Sequence, residues 1–205
     1  PRSYALALFG DLDLSLIKQM PIGRRKIITR LVDEINRHKA YDFIRTQVRQ
    51  GRQAFVICPL IEEKEAPSGR QLTLMEKKSV LAEYKKLSEE IFSDLRVNFL
   101  HGKMKPKEKE TVMQDFLSKK FDILVATSVV EVGVDIPNAT VMMIEGAKRF
   151  GLAQLHQFRG RVGRSTHQSY CLLFTNAVSD LPKKRLGYFV ATGDGFELAE
   201  KDLEL

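Results

Sequence analysis

The stretch Ile123-Leu124-Val125-Ala126 is apolar at every position, and no other feature constrains the fold as strongly. A strand with one wet face alternates apolar and polar residues, so a strand apolar on both faces has to be covered on both. Similar short runs recur at Ile27–Val32, Gln53–Cys58, Arg96–Leu100, Phe121–Thr127, Val141–Glu145 and Ser169–Phe174. Segments with helical spacing lie between them. His38–Gln50 puts Tyr41, Ile44 and Val48 on one face and is stopped by Gly51. Glu76–Phe92 does the same with Leu81, Tyr84, Leu87 and Ile91. Pro106–Leu117 opens on a first-turn proline, presents Val112, Met113, Phe116 and Leu117, and is followed by Lys119 and Lys120. This alternation predicts an α/β fold, a doubly wound, mainly parallel sheet with helices on both faces.

The pattern changes after Phe174. Asp180–Ala191 and Phe196–Leu205 read as two short helices joined at Thr192-Gly193-Asp194-Gly195, a C-terminal helical hairpin appended to the α/β body. Glu62–Gln71 is polar, contains Pro and Gly, and reads as an exposed loop. The opening Pro1-Arg2-Ser3-Tyr4 has no initiating Met and no signal pattern, so an internal stretch of a longer protein is expected. No apolar run approaches the ~20 residues that span a bilayer, and no membrane partner is expected. Cys58 and Cys171 each sit in an apolar strand, which predicts buried, reduced thiols in a cytoplasmic protein. His38, His101, His156 and His167 pair with nothing at metal-ligand spacing, so no metal site is predicted. Lys and Arg exceed Asp and Glu by 33 − 26 = 7, a surplus that suits a phosphate-bearing partner, either nucleic acid or nucleotide.

The densest chemistry lies in Leu152–Arg164, LAQLHQFRGRVGR. Leu152, Leu155 and Phe158 form an apolar helical face, while Gln157, Arg161 and Arg164 fall at i, i+4 and i+7. Gly160 and Gly163 predict that the helix ends near Gly160 with the last arginines projecting beyond it. Arg159, Arg161 and Arg164 within six residues repel one another unless an anion joins them. Guanidinium forks bind phosphate oxygens in pairs, so a triphosphate is a candidate; a solvated basic helix end is the alternative. Upstream, the buried strand at Ile123 runs into Thr127-Ser128, then Gly133 and Asp135. There a carboxylate could accept ribose hydroxyls or hold an arginine, or simply cap a helix. The turn His101-Gly102-Lys103 follows another strand, and can offer N–H groups and charge to a phosphate or be an ordinary turn.

Taken together, these residues resemble the C-terminal, RecA-like motor lobe of superfamily 2 helicases. Gln157–Arg164 is similar to motif VI (Q-x-x-G-R-x-x-R), Thr127–Asp135 to motif V, Gln53–Ile61 to motif IV, and Leu100–Gly102 to the motif between IV and V. Phe150–Gln157 and Thr192–Leu205 resemble segments shared by the RecG and Mfd branches, and Gly10–Ser15 with Cys58–Glu63 resembles RecG more closely.

The resemblance implies three parts: a connecting segment from a preceding motor lobe at 1–26, the second RecA-like lobe at 27–178, and the truncated start of a translocation-motif hairpin at 179–205. It implies ATP bound between two lobes, with Mg²⁺ held mainly by the first. The sequence contains neither G-x-x-x-x-G-K-[ST] nor an Asp-Glu-x-His box. Arg161 and Arg164 would reach the γ-phosphate, Gln157 would sense the nucleotide, and Gly133 and Asp135 would line its edge. Thr127, His101, Gly102 and Lys103 would meet the DNA backbone. The implied partners are branched double-stranded DNA and the first lobe and wedge domain of the same monomeric protein, at the bacterial nucleoid or in a plastid homologue. A transcription-repair coupling factor, or a nucleic-acid-binding module without ATPase function, are the other readings.

Overall fold

The computed structural model describes residues 25–59, 78–127, 136–176 and 180–204. Six strands form one sheet: β1 Ile28–Val32, β2 Gln53–Ile57, β3 Val97–Leu100, β4 Ile123–Ala126, β5 Ala139–Ile144 and β6 Tyr170–Phe174. Every pairing is parallel, in the order β1-β6-β5-β2-β4-β3. The expected strands are all present, with ends shifted by one or two residues. Residues 128–135, which hold Gly133 and Asp135, and the loop expected at Glu62–Gln71 lie outside the described residues.

The strand order explains why both faces are covered. From β1 to β2 to β3 the chain moves one way across the sheet; from β3 through β6 it moves back. Crossovers between parallel strands are right-handed, so the outward and return legs deposit their helices on opposite faces. On the outward face lie α1 (Arg37–Arg49) and α2, which is α-helical at 78–85 and continues as a π-helical segment, Lys86–Ile91. Their Tyr41, Ile44, Leu87 and Phe92 pack on Val56, Val125, Met143 and Phe174. On the return face, α3 (Pro106–Leu117) and α4 (Leu152–Arg159) pack Met113, Phe116, Leu155 and Phe158 on Phe55, Leu124, Met142 and Leu173. The alternate residues of the fully buried Ile123–Ala126 serve both cores. Helix α5 (Asp180–Ala191) and α6 (Gly195–Glu204) add Leu186, Phe189 and Leu198 to the return-face core. Both cysteines are buried and free, and burial pushes each thiol up to about 12.

The apolar face expected of Glu76–Phe92 is only partly realised. Leu87 is fully buried, but Ile91 is half-buried and Phe92 takes the core position. The wider turn, closed by Phe92 N–H donating to the Leu87 carbonyl, puts the next core residue five positions on instead of four.

Two helix ends show the same left-handed closure on different residues. Beyond α1, Gly51 has φ +81°, with its N–H on Val48 O and that of Arg52 on Gln47 O. Beyond α3, Lys119 has φ 57°, with its N–H on Phe116 O and that of Lys120 on Asp115 O. Glycine bears that conformation without strain, and a side chain with a Cβ does not. Lys119→Gly is therefore expected to raise unfolding stability by about 0.5–1 kcal/mol, the left-handed strain relieved less the added chain entropy. An upward shift of the urea midpoint at constant m would show it; an unchanged or lower midpoint would count against it.

Candidate functional site

A parallel sheet has two unlike ends, and the predicted site residues divide between them. At the carboxyl end, adjacent strands β3 and β4 release His101 and Thr127. Gly102 and the exposed Lys103 follow His101 and lead into α3. His101 is 7% exposed and stacks on Phe99 with ring centroids 5.9 Å apart. Thr127 is 1% exposed, and its hydroxyl has no hydrogen-bond partner among the described residues. Exposed lysines beside this turn are Lys103 and, flanking Pro106 at the start of α3, Lys105 and Lys107. The last two were missed at the sequence level because they match no helicase motif. Lysines at a helix N-terminus add to its positive end, where an anion is favoured; here the Glu108 carboxylate, which accepts the Lys105 N–H at 2.8 Å, already offsets part of that charge.

The second set lies at the amino end. Helix α4 runs back from the carboxyl edge, and the loop 160–169 after it leads into β6. Gly163, at φ +77°, lies so close to the residue before β1 that a Cβ there would come within 2.9 Å of Ile27 Cγ1. Arg52, just before β2, contacts His167 Nδ1 at 3.0 Å, and Gln168 Nε2 donates to Lys26 O at 2.8 Å. On this tethered loop Arg161 is half-buried and Arg164 exposed, its Nε donating to Gly160 O. Gln157 is exposed on the last turn of α4. The helix ends at Arg159, so Gln157 is helical while Arg161 and Arg164 sit on the loop that follows. Arg52 and His167 were not foreseen, since their partnership spans 115 residues.

Arg159 departs from the sequence-level picture of three arginines sharing one anion. It is 7% exposed and turns inward. Its Nη1 donates to the carbonyls of Phe189 and Thr192, and its Nη2 to Gly193 O and to His156 Nδ1. The guanidinium also lies 4.2 Å from the centre of the Phe189 ring. Carbonyl dipoles and a ring face, instead of phosphate, satisfy this cation. It locks the end of α4 to the connection between α5 and α6. Among the described residues, no group of three or more His, Cys, Asp or Glu is placed to hold a metal ion, and no helix is long and apolar enough to cross a membrane.

Comparison with known proteins adds to this geometry. The family model described as the helicase conserved C-terminal domain matches residues 36–166. The ATP-dependent DNA helicase RecG of Synechocystis is 48% identical over 205 residues, which is all of this chain and 24% of the relative. RecG of Thermotoga maritima is 44% identical over 204 residues, covering 100% of the chain and 25% of the relative. The chain thus spans about a quarter of the length of these curated relatives. A solved structure of RecG bound to a three-way DNA junction superposes with a TM-score of 0.78 at 43% identity, over 99% of this chain and 25% of that one. The yeast DEAD-box splicing factor Prp28 shares the fold, with a TM-score of 0.56 at 20% identity, over 84% of this chain and 35% of that one.

The Arg159 clamp carries a pH dependence. His156 Nδ1 accepts from Arg159, so the clamp needs a neutral imidazole. Burial first, and the Arg159 charge second, hold His156 below its ordinary value, with Asp194 pulling weakly the other way. A depressed folded value means that this stability is present above the unfolded value of about 6.5 and is lost as pH falls below it. Protection of the α5 and α6 amides, corrected for intrinsic exchange, is expected to drop from about pH 7.5 to 5.5, and His156→Gln should flatten the drop. A flat wild-type profile would contradict the clamp.

Proposed function

The chain belongs to the helicase conserved C-terminal domain family, and from that membership we propose that it works as the second motor lobe of an ATP-dependent DNA helicase that remodels branched DNA, such as stalled forks and Holliday junctions. The named relatives are RecG proteins, which favours this branch over the transcription-repair coupling factors. One observation carries the proposal. Arg161 and Arg164 lie on a loop tethered through Gly163, Arg52 and Gln168 at the amino end of the sheet, and Gln157 lies on the helix turn just before it, while Arg159 is occupied elsewhere. A guanidinium pair held this way suits the oxygens of a terminal phosphate on a facing lobe.

ATP, when bound, would supply the phosphoryl group transferred to water, and the first lobe would hold its phosphates and Mg²⁺. Arg161 and Arg164 would stabilise the charge that grows on the terminal phosphate, and Gln157 would sense its presence. Gly133 and Asp135, outside the described residues, are proposed for the nucleotide's edge. Once hydrolysis removes that phosphate, the arginines lose their anionic partner and the two lobes can part.

The DNA backbone would meet the opposite end of the sheet, at Gly102, Lys103 and the start of α3. His101 and Thr127, being buried, would shape that turn, and their side chains would not grip phosphate directly. Such contacts position a protein on DNA without reading its sequence. The hairpin of α5 and α6 would pass lobe motion to the duplex. Alone, the lobe would not turn over ATP.

In the longer protein that carries this chain, Arg164→Ala is expected to lower DNA-stimulated ATP turnover by about 10³–10⁵-fold, while DNA affinity and its salt slope stay unchanged. Weakened DNA binding with turnover retained would reverse the assignment.

A further inference from the structure

Helix α4, which carries Gln157 and leads into the arginine loop, has no N-terminal cap of its own. Its N-cap residue is Gly151, no side chain of the local sequence caps it, and its first turn contains no acidic residue. Eight residues long, it is too short to be stable without help at its ends. The missing acceptor comes from 50 residues away. Asp202, in the second helix of the hairpin, accepts the Leu152 N–H on Oδ2 at 2.9 Å. The side chain is about three-quarters buried, with Arg185 Nη1 4.0 Å from its other oxygen. Arg185 also donates through Nη2 to the carbonyls of Lys148 and Phe150, on the approach to α4. Gly151 leaves room for this arrangement. Its backbone is in the ordinary extended region, φ −67° and ψ 157°, yet a Cβ there would stand 2.9 Å from Asp202 Oδ2.

We infer that Asp202 is a positioning residue: it caps α4 from the hairpin and so makes hairpin docking a condition for correct placement of Gln157, Arg161 and Arg164. A carboxylate at a helix N-terminus satisfies an orphan N–H and opposes the positive end of the helix dipole. With Asp202 at the first residue of α4 and the Arg159 clamp at the last, the hairpin grips both ends of the one helix that leads to the arginines. Displacement of the hairpin then frays α4 and moves the loop, and movement of the loop is felt by the hairpin. The catalytic consequence rests on the proposed function; the cap itself does not.

The test uses the longer protein that carries this chain and combines two readouts. Amide exchange at Leu152 reads the cap directly. Steady-state ATPase kinetics with DNA present read its consequence. Asp202→Ala is expected to speed Leu152 exchange and to lower kcat by about fivefold, the size of a lost N-cap, with the KM for ATP unchanged. Asp202→Asn, which keeps an acceptor oxygen but not the charge, should recover part of both. Gly151→Ala should reproduce the Asp202→Ala phenotype by displacing the carboxylate, and the double variant should be no worse than either single one. Unchanged core amides in β2 and β5 confirm that each variant folds. Unchanged Leu152 exchange in Asp202→Ala, faster exchange with unaltered kcat, or additive effects of the two substitutions would each overturn the inference. A wild-type protein without ATPase activity would instead sink the proposed function, and Leu152 exchange would still decide the cap.

Discussion

Every strand of this sheet points the same way, and the rest of the molecule follows from that constraint. A parallel strand cannot return by a tight turn, so each connection crosses a face, and both faces acquire a core. All strands then finish at one edge and begin at the other. The first edge collects the turns that follow strands, here His101–Lys103 and Thr127. The second collects the segments that precede them, here Ile27, Arg52 and the loop 160–169. Two separate surfaces arise on one sheet, and the proposed function assigns DNA to the first and a nucleotide to the second.

The return helix α4 joins the two surfaces. It starts near the carboxyl edge and delivers its arginines to the opposite one. Its own sequence stabilises it poorly, with no local cap and two glycines close behind it. Stability comes from tertiary partners: Leu152, Leu155 and Phe158 in the core, and the hairpin at both ends. A helix held this way responds to whatever moves the elements that hold it.

Much of the fold was legible because it rests on local rules. The unbroken apolar run Ile123–Ala126 required burial on both faces, Gly51 marked a helix end by its left-handed φ, and Leu152, Leu155 and Phe158 declared a core face. What escaped depends on long-range partners. The inward turn of Arg159 is decided by carbonyls 30 and 33 residues on, and the Asp202 cap by a contact across 50. The π-helical segment replaced Ile91 with Phe92 in the core because one extra residue per turn leaves no mark in the periodicity. Burial of His101 and Thr127 was hidden for a related reason: motif resemblance identifies residues near a ligand without saying which of them face it.

The division of labour between the two edges is tested most directly by hydrogen exchange of the longer protein, measured with branched DNA alone and with a non-hydrolysable nucleotide alone. The account predicts that DNA slows exchange at 101–107 and leaves 157–164 unchanged, and that nucleotide slows exchange at 157–164 and leaves 101–107 unchanged. DNA protection centred on Arg161 and Arg164, with no response at the start of α3, would contradict it.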